Sequence, residues 1–278
     1  MKTMTDPSGI AGELRRSFEQ PGGWRDLIAP VVRGGAAALE VAYATLEEVL
    51  VERSGESDPE PALCYATLLL CSFDAGYAEP EREACLATRK WLRLAKAWGA
   101  HSEDLRLLLG WLCIHEGSLA EAYVRLERVA ALPAARFRLG LLELARDRAD
   151  PDGAASRALA HYRIGLEGPK GDLGAADCQA GCAQAYLILG QTQRAREALV
   201  LARQRGALHP LADAVASALA REESRSGRRA RVAAALALAG AGVAAAFGLA
   251  NAPLWREGAQ AEPSQPKSST AAAMSESR

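Results

Sequence analysis

Strand-forming residues are scarce in this chain of 278 residues: it holds 4 Phe, 6 Tyr and 5 Trp, and aromatics make up only 5% of it. Val, Ile and Thr are likewise outnumbered by 59 Ala and 28 Arg, so residues of high helix propensity dominate and an all-helical fold is expected. Lysine is rare as well, with 5 residues, and this Ala/Arg-rich, Lys-poor balance is that of a GC-rich bacterial proteome. A large net charge is absent. At −1 over the whole chain, no global field attracts nucleic acid or an acidic substrate. Six cysteines, at 64, 71, 85, 113, 178 and 182, are too sparse for a disulfide framework and fit a reducing compartment. Near the start, Asp6, Pro7 and Glu13 interrupt any apolar stretch that could serve as a cleavable signal, so the N-terminal part is expected in the cytoplasm.

One long apolar run is present. Residues 232–250, VAAALALAGAGVAAAFGLA, carry no charged or polar side chain, and as a helix at about 1.5 Å per residue they span roughly 28 Å, the thickness of a bilayer core. Arg225, Arg228, Arg229 and Arg231 stand just before the run, whereas the residues after it balance to zero charge. That asymmetry places the N-terminal side in the cytoplasm. The four basic residues are therefore read as a juxtamembrane flank touching anionic lipid. Gly240, Ala244 and Gly248 fall four apart and offer a small-residue face for pairing two such helices into a homodimer. Residues 251–278 are rich in Ser, Pro, Ala and Gln and are expected to be a disordered tail on the far side.

The body of the chain repeats itself. In LRLLLGWLCIHEGSLAEAYVRLERVAALP (105–133), two helices are expected to cross at Gly110 and Ala122, with Gly117 closing the first and Leu126 and Val129 filling the interface. The scheme recurs downstream with Leu139, Gly140, Ala158, Tyr162 and Gly165, where about six inserted residues are expected to lengthen the loop between the helices. It recurs again with Cys182, Ala183, Tyr186, Gly190, Ala195, Leu199 and Ala202, and more loosely upstream with Tyr65, Leu68, Gly76, Ala84 and Thr88. This spacing resembles that of the tetratricopeptide-repeat family over roughly residues 60–210, with Arg106 standing where the family has an aromatic residue. Sel1-like and other helical-pair solenoids share much of the same spacing. The resemblance implies an α-solenoid of antiparallel helix pairs, followed here by a single transmembrane helix. Residues 1–59 are read as N-terminal capping helices broken at Pro21-Gly22-Gly23 and Gly34-Gly35, and 211–231 as a capping helix with the basic flank.

In such a solenoid the first helix of each pair lines a concave groove, and the matching positions here are Leu107, Trp111, Ile114, Phe137, Leu141 and Gln184. They are mainly apolar, with Arg138 the one nearby cation, which suits an apolar or amphipathic peptide better than a C-terminal carboxylate. Cys178 and Cys182 share a helical face, but the four histidines have no ligand spacing, so no metal or other cofactor is expected. GPKG at 168–171 lacks the rest of a phosphate-binding loop, and His115 beside Glu116 has no orienting third group, so no catalytic residues are assigned. The expectation is a non-enzymatic, single-pass scaffold of the bacterial inner membrane that binds a protein or peptide partner and no nucleic acid. Its layout is similar to that of tail-anchored repeat adaptors. The alternative is a soluble chaperone for a secreted or membrane protein, with 232–250 folded into the groove or a dimer interface.

Overall fold

The computed structural model describes residues 7–53, 56–167 and 173–223. The apolar run 232–250, the four arginines of its flank and the tail 251–278 lie outside the described residues. Among those described there are twelve α-helices and no strand, and no helix is long and apolar enough to cross a membrane. The fold is all-α.

In chain order the helices are α1 (Pro7–Ser17), α2 (Arg25–Arg33), α3 (Gly35–Glu52), α4 (Glu60–Asp74), α5 (Arg82–Ala97), α6 (Ser102–His115), α7 (Leu119–Glu127), α8 (Pro133–Arg146), α9 (Pro151–Leu166), α10 (Leu173–Ile188), α11 (Thr192–Arg205) and α12 (Leu211–Glu223). Their ends are written into the sequence. Pro133 and Pro151 open α8 and α9, where a missing backbone N–H costs nothing, and the Asp150 carboxylate accepts from Gly153 N at 2.9 Å to cap α9. Gly117 closes α6 and Gly190 closes α10 in the left-handed region, at φ +76° and +71°. Each is followed by a residue whose N–H returns five positions, Ser118 to Cys113 O and Gln191 to Tyr186 O, the Schellman arrangement that satisfies the last carbonyls of a helix.

Every even-numbered helix from α4 to α10 packs against the helix that follows it and against the even helices on either side, and α2 packs on α3 and α4. The crossings are set by small residues. A Cβ on Gly110 would meet Leu126 of α7 at 2.8 Å, and Gly140 of α8 and Gly181 of α10 both abut the fully buried ring of Tyr162, which α9 inserts between them. The insertion between α8 and α9 does not lengthen the loop as the spacing suggested. Loop 147–150 is short, and the extra residues go mainly into α9, which begins seven residues before Ala158 where α7 begins three before Ala122. Adding a turn of helix satisfies its own backbone polar groups, which a longer loop would leave to solvent.

The N-terminal helices do more than cap one end. The Arg33 guanidinium at the end of α2 donates to the carbonyl of Gly206 at 2.5 Å, across 173 residues of sequence. Leu208 packs against the apolar cluster built from α1 to α6. Arg25 of α2 also pairs with Asp104 of α6 at 3.0 Å. The even helices therefore surround a concavity that the segment 206–209 closes.

Candidate functional site

The concavity is a cavity of about 450 Å³, walled by α2, α4, α6, α8, the start of α10 and the segment before α12. This volume lies within the range of roughly 300–1,000 Å³ typical of ligand pockets. Apolar walls come from Trp24, Leu107, Trp111, Leu132 and Leu208, and its polar part is a buried cluster that no local motif announces.

Asp74, the last residue of α4, sits at the centre of that cluster. One carboxylate oxygen accepts from Arg138 Nη2 at 2.9 Å, and the other accepts from Trp111 Nε1 at 3.3 Å. His115 Nε2 lies 3.1 Å from the second oxygen but off-line, so this is an electrostatic contact rather than a directed bond. Arg138 lies flat on Trp111, with its central carbon 3.3 Å from the ring centroid, and its side chain is almost fully buried. Burial alone would push the Asp74 carboxyl up; Arg138, His115 and His209 reverse this and hold it at about 2. The charge is thus locked on, and breaking either partner leaves its mate uncompensated.

Asp177 of α10 has a different environment. Its Oδ1 accepts from the backbone N–H of Leu208 at 2.8 Å and of His209 at 3.0 Å, which fastens the closing segment. It is 8% exposed, and among the described residues it has no ion-pair partner. Burial raises its carboxyl to about 6, against the pull of the two backbone donors and the more distant Arg138. His209 is fixed by the N–H of Leu211, which its Nδ1 accepts at 3.2 Å, so the proton resides on Nε2. That nitrogen is buried without a hydrogen-bond partner, 4.0 Å from Asp74. Burial lowers the His209 imidazole to about 4, so it is neutral at physiological pH.

Of the six positions assigned to a groove from the sequence, Leu107 and Trp111 line the cavity. Ile114, Phe137, Leu141 and Gln184 are buried in the packing between helices instead. Phe137 stacks 6.1 Å from Tyr162 and 5.0 Å from His209, and its neighbour Arg138 takes the cavity-facing position. Sequence reasoning missed Asp74, Asp177, His209 and Trp24, and set His115 aside. The usable signal was compositional: a charged residue in each of three helices otherwise apolar on the inner side. The six cysteines form no disulfide among the described residues. Cys178 Sγ donates to Pro133 O at 3.3 Å, and burial pushes the Cys182 thiol up to about 12, so both are packed thiols and not thiolates. Among the described residues no three His, Cys, Asp or Glu side chains are grouped to hold a metal.

No family model matches the chain, and no curated protein matches it.

Proposed function

We propose that the chain is a non-enzymatic, membrane-anchored scaffold of the tetratricopeptide-like kind. Its helix-pair domain receives part of a protein or peptide partner in the inner cavity, and 232–250 tethers it to the bacterial inner membrane, with the domain in the cytoplasm. The observation that carries the reading is the cavity itself, walled by successive even helices and floored by apolar side chains beside a small polar cluster. Support comes from the spacing: the residues that resemble the repeat family's crossing positions are those that abut neighbouring helices, Gly110 on Leu126 and Gly140 on Tyr162. In the sequence the basic flank begins two residues after α12 and the apolar run nine residues after it, so a tether would follow the domain closely.

The alternative, a soluble chaperone with 232–250 folded into the groove or a dimer interface, needs no tether. Fractionation tests the tether. The full chain should resist an alkaline carbonate wash while a chain ended after Arg231 is soluble, and protease should reach the tail only from outside the cell membrane. Full-length protein that is soluble without detergent would overturn the reading.

A further inference from the structure

The charges that line the cavity do not balance. Asp26, Asp74, Asp104 and Asp177 face it against Arg25 and Arg138. Arg138 is committed to Asp74, and Arg25 at the mouth to Asp104. Asp26 is exposed at the rim, where water solvates it. Asp177 remains: a buried carboxylate with one oxygen held by two backbone donors and, among the described residues, no ion-pair partner. The groups that face it from the other elements are Arg138 of α8, Asp74 of α4 and the closing segment's His209, which is neutral, so the described residues supply no free counter-charge. A buried unpaired carboxylate is costly, and the cost falls when a cation enters. The rest of the cavity is apolar, with Leu107, Leu132 and Leu208 forming a surface for a short hydrocarbon body. Hydrated metal ions do not suit such walls.

We propose that the cavity binds an organic ammonium, a primary amine on a short apolar stem, with its nitrogen against Asp177 and its stem along Leu107, Leu132 and Leu208. The amine comes either from a partner polypeptide, as a lysine side chain, or from a free alkylamine. The proposal rests on the reading of the cavity as the partner's receptor and specifies the chemistry it accepts.

Calorimetric titration of the full chain in detergent tests it, with n-butylammonium, butyrate and n-butanol as shape-matched probes and an end-capped tripeptide, Leu-Lys-Leu, beside its acetyl-lysine counterpart. The expected result is binding of the ammonium probe or of the lysine tripeptide, with butyrate, butanol and the acetylated peptide at least tenfold weaker. Asp177→Asn keeps an oxygen for the Leu208 and His209 donors and should weaken the cation at least tenfold while helical content is unchanged. Because the free carboxyl takes up a proton near pH 6, affinity should also fall about tenfold between pH 7 and pH 5. Binding of the tripeptide alone identifies a protein source, and equal or tighter binding of butylammonium identifies a free amine. Absence of cation binding, equal binding of butyrate, or an Asp177→Asn variant that binds as wild type overturns the proposal. The fractionation result is independent of all these readouts, so failure of the tether and failure of the amine site are told apart.

Discussion

Replacing Asp177 by Asn should stabilise the ligand-free protein at neutral pH, and the gain should vanish in mild acid. Folding carries this carboxyl from 3.8 to about 6, a change equivalent to about 3 kcal/mol against the folded state when the group is ionised. Asn removes the charge but can still accept from Leu208 and His209. The folded wild type binds a proton here at higher pH than the unfolded chain does, so it regains stability as pH falls from about 6 to about 4, which the variant cannot do. His209 runs the other way. Its imidazole falls from 6.5 to about 4 on burial, so the unfolded chain takes up a proton through this window that the folded chain does not, and stability is lost as pH falls. In the wild type the two nearly cancel. In Asp177→Asn the His209 loss stands alone, about 3 kcal/mol between pH 6.5 and pH 4. Urea denaturation of both full-length proteins in one detergent, followed by circular dichroism from pH 4 to pH 8, gives the difference directly and removes the contribution of the other carboxylates. A variant less stable than wild type at pH 8, or a difference that stays constant with pH, would refute the assignment of Asp177 as a buried, uncompensated charge.

Two further substitutions probe the packing and the buried pair. Asp74→Leu strands the Arg138 guanidinium and should cost about 3–5 kcal/mol, whereas Asp74→Leu with Arg138→Met should cost less than the single change, as read from denaturation midpoints. Gly140→Ala puts a methyl against Tyr162, which Gly181 blocks from behind; it should lower stability by about 1–3 kcal/mol despite the better helix propensity of Ala. Gly110→Ala meets Leu126 Cγ at 2.8 Å and Arg125 Cβ at 3.4 Å, less crowding than the Tyr162 ring imposes at Gly140, and should cost less by the same denaturation midpoints.

The helices were legible because their ends are local: glycines two residues beyond the ends of α4, α6 and α10, and prolines at the starts of α8 and α9. The crossings were legible too, since Gly110 and Ala122 are small where two helices approach, and Gly140 leaves the room that Tyr162 fills. The cavity was not. Asp74, His115, Arg138, Asp177 and His209 are separated by 23 to 41 residues along the chain, so no window contains two of them, and only the packing of successive even helices brings them together. Phe137 was assigned to the groove and Arg138 only to its vicinity because a shift of one residue turns a helix by about 100°, finer than the repeat spacing can resolve. Nor did any pattern link Arg33 to Gly206, a glycine that already has a local reason as the left-handed end of α11 and whose missing Cβ leaves room for the guanidinium.

That last contact changes how the array can come apart. Repeats stacked in an open row lean only on their neighbours, so such rows fray from both tips and tolerate the loss of a terminal unit. Here the guanidinium of Arg33 and the seat of Leu208 join the first hairpin to the last, so neither tip is a tip. The segment 206–209 therefore has two holds, Arg33 of α2 on one side and Asp177 of α10 on the other, and it lies over the Asp74–Arg138 pair. The described helices form a clasped band, with Arg33 and Leu208 as its clasp.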